Sequence, residues 1–135
     1  MSYPITDIEG IDRDVAVTLK SVGIRSTARL LEAAKNAKGR KALAAKTGLD
    51  RKRLLGFANM ADRMRIKGMG REYAELMHAA GVDTVKELKY RNPGRLARAM
   101  AEANKKRKFV RLLPSEKVVL RWIDHAKKLQ IKISY

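Results

Sequence analysis

The sequence predicts an all-α protein of about eight helices, arranged as two repeats in one compact, pseudo-two-fold domain. Apolar residues recur at helical spacing through most of the 135 residues, and no convincing alternating pattern of a β-strand occurs. Good N-capping residues and glycines separate these apolar stretches from one another. The chain also matches itself when it is shifted along its own sequence, which indicates an internal repeat.

In the first half, three helices are predicted over about 13–22, 27–34 and 39–46. A fourth begins after Asp50 and runs to about Met64. Asp50 is a good N-cap because its carboxylate can accept a hydrogen bond from a free N–H of the first turn. The fourth helix has a single apolar stripe, which consists of Leu54, Leu55, Phe57, Ala58 and Ala61.

The second half has clearer start and stop residues. Gly70 begins a helix that ends at Gly81, a typical residue after a helix C-terminus. Thr84–Glu87 has the spacing of a capping box and begins a short helix. Asn92 and the proline after it begin the next helix, since proline suits a first turn. Ser115 begins the last helix, which runs to about residue 129.

The repeat is visible as two overlapping matches. A shift of 58 positions places Ile8–Leu30 on Ile66–Leu88 without a gap, and a shift of 65 places the helix after Asp50 on the helix after Ser115. The second copy therefore contains an insertion of seven residues, near the basic segment 105–111. These matches give one repeat at about 8–65 and another at about 66–129.

The two ends of the chain suggest how the repeats close into a single domain over 1–135. At the 65-residue shift, Ile131 and Lys132 match the start of the second repeat, so a third copy begins and stops. The first repeat has no leading helix of its own. We therefore expect the last helix, Ser115–Leu129, to pack ahead of the first repeat.

The charge of the chain favours a polyanionic partner. Lysine and arginine number 31 against 14 acidic residues, which gives a net charge of +17 and a pI near 10.5. The 45% of apolar residues is too high for a disordered basic tail. The absence of cysteine excludes disulfides and zinc-thiolate sites. No apolar run reaches membrane-spanning length and no signal peptide is evident, so a cytoplasmic protein is expected.

The best candidate site is the turn Ile66–Gly70, called here the second hairpin. Gly68 and Gly70 permit positive φ values and close approach of a ligand to the backbone. The N–H groups of Gly68, Met69 and Gly70 would then face an anion at the start of the next helix. Nearby positive charge comes from Arg65, Lys67 and Arg71. The alternative interpretation is a plain turn between two helices.

A second candidate is the basic run formed by Lys105, Lys106, Arg107 and Lys108. As a flexible loop, it could hold a neighbouring phosphate strand. A solvated stretch of charges is an equally good interpretation of the same residues. Trp122 and Phe57 occupy equivalent stripe positions and are expected to be core residues, not platforms for base stacking.

The stretches Ala61–Gly70 and Ala80–Leu88, with Arg91-Asn92, Leu113-Pro114 and Trp122-Ile123, resemble a bacterial family of tandem helix-hairpin-helix proteins. That family is catalogued as a domain of unknown function. The resemblance implies an all-α fold with two helix-hairpin-helix repeats. In such proteins the amides of the hairpin hold a DNA phosphate without reading sequence. The first hairpin, Ile8–Asp12, departs from this pattern because Asp12 occupies the place of Gly70 and its carboxylate would compete with a phosphate.

Catalysis has little support in the sequence. His78 and His125 stand alone, and the one acidic cluster, at residues 7, 9, 12 and 14, lies in a turn. We therefore expect no catalytic residues, no metal and no cofactor. The expected function is that of a non-catalytic accessory module that binds duplex or branched DNA without sequence preference, with RNA as a possible ligand. The alternative is a scaffold for protein–protein interaction that could also self-associate.

Overall fold

The computed structural model describes residues 2–135, and all regular elements within them are helical. The prediction of an all-α fold is therefore confirmed, with eight α-helices in the described part of the chain and a short 3-10 helix at Ile5–Asp7. The helices are α1 (Arg13–Ser21), α2 (Thr27–Ala34), α3 (Ala37–Thr47), α4 (Arg51–Arg63), α5 (Gly70–Ala79), α6 (Val85–Leu88), α7 (Pro93–Lys106) and α8 (Glu116–Lys128).

Side-chain caps explain where the helices begin. Each described α-helix except α5 starts with a side chain that accepts a hydrogen bond from a backbone N–H of its first turn. Asn36 does this for α3, with 2.8 Å between its Oδ1 and the nitrogen of Gly39, and so α3 begins two residues earlier than predicted. The capping residues are Asp12, Ser26, Asn36, Asp50, Thr84, Asn92 and Ser115.

The chain divides into two compact units. The first contains the residues up to Arg65 together with Lys132–Tyr135. Within it, α2 packs against both α3 and α4, and α3 also contacts α4. Its core contains Leu19, Leu30, Leu54 and Phe57, all of which are buried. The prediction that Phe57 is a core residue is thus confirmed.

The last four residues are tied to the first unit by several bonds. The N–H of Ser134 donates to the carbonyl of Lys35 over 2.8 Å. The buried Arg40 donates to the carbonyls of Ala34 and Ser134, over 2.9 and 2.7 Å. Lys132 forms an ion pair with Glu32, and the hydrogen bonds from Lys132 and Lys35 lower the pKa of Glu32 to about 2. Lys132, which the sequence matched to the start of a third repeat, is therefore part of the first unit.

The second unit is Ile66–Ile131. Within it, α7 packs against α5 and α8, and α6 packs against α8. Trp122 of α8 is only 4% exposed, and its ring lies 5.4 Å from that of Tyr73, between ring centroids. The hydroxyl of Tyr73 donates to the carbonyl of Leu112 over 2.8 Å. Trp122 is therefore a core residue, as predicted.

Each of the two hairpins contacts a helix of its own unit. The first hairpin packs against Phe57 of α4. A Cβ added at Gly10 would lie only 3.3 Å from the Phe57 ring. The helix α8 contacts α6 and α7, and its His125 accepts a hydrogen bond from the second hairpin. In the described residues, no helix combines the length and apolar character needed to cross a membrane.

Candidate nucleic-acid interface

The second hairpin is a tight turn anchored by two buried side chains. Ile66 and Met69 are 0% and 1% exposed, and the N–H of Met69 donates to the carbonyl of Ile66 over 3.1 Å. Both glycines have positive φ angles, +80° at Gly68 and +66° at Gly70. Few L-residues adopt these angles, so the turn requires glycine at both positions. The N–H of Met69, expected to face a ligand, is instead used within the turn.

The tip of the second hairpin, formed by Gly68 and Gly70, is open to solvent. A Cβ added at Gly68 or Gly70 would meet no atom within 4 Å, other than those of its chain neighbours. Packing therefore does not require glycine here; only the backbone conformation does. The consequence is a bare stretch of backbone that a bulky group can approach closely.

The N–H groups of this tip are available for bonding. In the described residues, no acceptor is recorded for the N–H of Gly68 or Gly70. Helix α5 follows directly and has no side-chain cap, since its N-cap is Met69, whose thioether is only a weak acceptor and makes no cap hydrogen bond. The free N–H groups and the positive end of the helix dipole thus lie at the same exposed point.

The flanking cations differ in their surroundings. Lys67 and Arg71 are exposed, and Arg71 has only a loose contact with Glu72, with 3.9 Å between Nη2 and Oε1. Arg65, which we expected to contact phosphate, belongs to the first unit. It donates to the buried Asp62 over 2.8 Å, and its side chain is 14% exposed. The structure thus places Arg65 in an ion pair and leaves two cations beside the tip.

His125 also belongs to this site, although no pattern in the sequence indicates it. The N–H of Lys67 donates to Nδ1 of His125 over 3.1 Å. For Nδ1 to accept this bond it must be unprotonated, so a neutral His125 carries its proton on Nε2. The half-buried imidazole of α8 thereby fixes the start of the hairpin. No local spacing could reveal this contact, because the two residues are far apart in sequence.

Replacing His125 with phenylalanine should destabilise the protein by about 1 kcal/mol. Phenylalanine keeps an aromatic ring at this position, but the N–H of Lys67 loses its acceptor. Urea denaturation of the two proteins measures the difference. His78→Phe is the matched control. The ring of His78 contacts the side chain of Asp83, which is partly exposed. Equal denaturation midpoints for His125→Phe and the original protein would show that this bond does not hold the hairpin.

The first hairpin has the same turn but a different surface. Gly10 has a φ of +91°, and the N–H of Ile11 donates to the carbonyl of Ile8 over 3.2 Å, as in the second hairpin. Here, however, the carboxylate of Asp12 accepts from the N–H of Val15 over 2.9 Å and caps α1. Arg53 donates to the carbonyl of Gly10 over 3.2 Å. In the described residues no acceptor is recorded for the N–H groups of Gly10 and Asp12 either, so the two hairpins differ in the Asp12 cap, the Arg53 bond and the cover over the glycine, not in these N–H groups.

The basic run is more ordered than a flexible loop. Lys105 and Lys106 form the last turn of α7, and Arg107 is its C-cap. The guanidinium of Arg107 lies 4.8 Å from the ring centroid of Phe109. All four cations of the run are exposed, and Lys105 has an exposed ion pair with Glu102.

Asn104 holds the backbone that follows the run. Its Oδ1 accepts from the N–H groups of Phe109 and Val110 over 2.8 and 3.1 Å, and its Nδ2 donates to the carbonyl of Val110 over 3.1 Å. These three bonds fix the exit from α7. The expected flexible loop is therefore a short ordered ridge that presents four cations to solvent.

His78, the other histidine of the chain, has a partner that the sequence did not suggest. Nδ1 of His78 lies 2.6 Å from Oδ1 of Asp83, and both side chains are largely exposed. Across residues 2–135, no group of three or more histidine, aspartate or glutamate side chains is close enough to hold a metal ion.

Comparison with protein families gives a match over most of the chain. Residues 9–129 match the family described as Domain of unknown function (DUF4332). Comparison with curated proteins and with solved structures gave no match.

Proposed function

The chain belongs to the DUF4332 family, and from this premise we propose that it is a non-catalytic module that binds DNA without sequence preference. The ligand is the phosphate backbone of duplex or branched DNA, and the site is the second hairpin. One observation carries the proposal: α5 alone among the described α-helices begins without a side-chain cap, and its free N–H groups lie beside two open, positive-φ glycines.

A phosphate fits this point for electrostatic reasons. Free N–H groups at a helix N-terminus donate to anionic oxygens, and the helix dipole favours negative charge there. Lys67 and Arg71 add two exposed cations on either side of the tip. Such contacts go to the backbone of the nucleic acid and carry no information about base sequence. The net charge of +17 strengthens the attraction to any polyanion.

The comparison of the two hairpins argues against a purely structural role for the open tip. Both turns contain the same backbone hydrogen bond and a glycine with positive φ. The first is filled by Phe57, Arg53 and the carboxylate of Asp12. A stable turn of this type therefore does not need an open surface. The matched bonds also support the proposal that each half is one helix-hairpin-helix repeat.

The basic run supplies further positive charge on the same unit. Lys105 to Lys108 project from the end of α7 and the residues that follow it. We propose that they contact phosphates in addition to the one held by the hairpin. All four side chains are exposed, so an anion in solvent can reach them.

A protein-interaction scaffold is the second candidate. Leu112 and Leu113 are 76% and 41% exposed, which is unusual for consecutive leucines and suits an apolar partner. A copy of the chain or another protein could cover them. Binding through this surface would depend little on salt, whereas binding to phosphates depends strongly on it.

A salt titration tests the proposal. The affinity for a fluorescent duplex should fall steeply with salt, with a log–log slope of roughly −4 to −5 if the two hairpin cations and most of the basic run neutralise phosphates. Two duplexes of unrelated sequence should bind alike, and an RNA duplex run in parallel shows whether the 2′-hydroxyl matters. A slope near zero, or no binding at low salt, would refute the proposal.

A further inference from the structure

An open cationic cleft with one exposed aromatic ring lies on the second unit, apart from the second hairpin. Its lining residues are Lys89, Tyr90, Arg91 and Lys127, and its volume is about 480 Å³. Tyr90 is 74% exposed. The cleft thus combines three positive charges with a largely exposed aromatic ring.

The segment that carries these residues is held by its backbone. The N–H groups of Lys89, Tyr90 and Arg91 donate to the carbonyls of Val85, Glu87 and Leu88 over 3.2, 3.3 and 3.1 Å. Asn92 then caps α7. The exposure of Tyr90 is therefore a property of an ordered turn and not of a mobile loop. Core packing accounts for Trp122 and Phe57 but does not account for this ring.

Of the three cations that line the cleft, Lys89 lies closest to the ring in the recorded contacts. The ammonium of Lys89 lies 5.1 Å from the centroid of the Tyr90 ring. Arg91 extends towards Gly81, with 3.9 Å between its Nη1 and the position of an added Cβ. Lys127 is 4.0 Å from Asp124, an exposed pair that contributes little. Among the described residues that line the cleft, none is acidic.

We propose that this cleft binds unpaired nucleotides of DNA, with Tyr90 stacked on one base and Lys89, Arg91 and Lys127 beside the neighbouring phosphates. The inference rests on the proposed function and specifies its partner as DNA with a single-stranded segment, as at a fork, gap or flap. A ring and a basic groove together are the usual means of holding single strands without reading sequence. In a duplex the bases are already stacked and paired, so Tyr90 has no base face to contact.

The cleft and the second hairpin can be separated by mutation. Lys127 and His125 both lie on α8, but two residues correspond to about 200° around a helix. They therefore face different flanks of α8, one lining the cleft and the other bonded to the hairpin. A variant at Tyr90 should leave the hairpin intact.

Tyr90→Ala should weaken binding to a roughly 12-nucleotide oligothymidine by at least about fivefold, because stacking on a base is lost. Binding to a blunt duplex should stay within about twofold, since that ligand offers no unpaired base. Tyr90→Phe retains the ring and should bind both probes as the original protein does. Tyr135→Ala is the matched control, because Tyr135 is 73% exposed but belongs to the first unit. Fluorescence anisotropy measures all four proteins, with thermal melts to confirm that each is folded.

The outcomes separate this inference from the proposed function. Loss of oligothymidine binding in Tyr90→Ala, with duplex binding retained, supports the cleft. If the original protein binds oligothymidine through Tyr90 but binds no duplex, the proposal for the cleft is supported. The proposal that the second hairpin binds duplex DNA is then refuted. Unchanged oligothymidine binding in Tyr90→Ala, an equal loss with both probes, or no oligothymidine binding by the original protein would overturn the inference.

Discussion

Replacing Gly68 and Gly70 together with valine should reduce the affinity for duplex DNA by roughly 100-fold, or about 3 kcal/mol. That value corresponds to the loss of about two hydrogen bonds from backbone N–H groups to a charged phosphate. A β-branched residue is an outlier at positive φ, so the turn must change shape. Its side chain would also fill the open space above the backbone and hold a phosphate away from the amides. Fluorescence anisotropy with a labelled duplex measures the loss.

The chain contains a matched control for the strain that valine introduces. Gly23 and Gly48 have φ angles of +86° and +75°, and a Cβ added at either would also meet no atom within 4 Å. Both lie at helix ends in the first unit. Gly23→Val with Gly48→Val should therefore destabilise folding to a similar degree, which thermal melts can check, and should leave DNA affinity unchanged.

The two double variants together decide the role of the second hairpin. A folded Gly68→Val, Gly70→Val protein with the original affinity would remove the hairpin from the site. Equal losses in both double variants would show that strain and general destabilisation cause the effect. Only a loss confined to Gly68 and Gly70 agrees with a phosphate held at the start of α5.

Replacing Lys105, Lys106, Arg107 and Lys108 with glutamine should weaken binding to all DNA sequences alike. If the run neutralises about three phosphates, the log–log salt slope should shrink by roughly 2–3 units. Glutamine is a good helix former and preserves the last turn of α7. The bonds of Asn104 that fix the following backbone do not involve these side chains. The change therefore removes charge while leaving the ridge in place.

A second set of four cations controls for net charge. Arg25, Lys38, Lys41 and Lys46 are exposed and belong to the first unit. Their replacement with glutamine removes the same total charge and should leave the salt slope nearly unchanged. If both quadruple variants reduced the magnitude of the log–log salt slope equally, binding would depend on overall charge and not on the basic run. An unchanged slope in the first variant would show that the run is only a solvated surface.

The local features of the fold could be predicted because each depends on a few neighbouring residues. Asp50, Thr84, Asn92 and Ser115 begin helices where the sequence places them, since a cap bonds an N–H only two or three residues away. The positive φ angles of Gly68 and Gly70 could be predicted for a similarly local reason, because glycine readily adopts them.

Two local signals were present in the sequence but were not recognised. Asn36 has the residue type and position of an N-cap, which would have placed the start of α3 correctly. Asp62 and Arg65 are three residues apart at the end of a helix, a spacing that suits an ion pair.

The sequence by itself determined the all-α class, most helix boundaries and the two hairpin turns, because these depend on periodicity, caps and glycine. Only the tertiary structure decided which hairpin is open. His125 reaches Lys67, and Phe57 covers Gly10, across 58 and 47 residues of sequence. The 74% exposure of Tyr90 is likewise seen only in the tertiary structure. Contacts of this kind leave no periodic trace, because they are set by the packing of whole helices and not by the conformation of neighbouring residues.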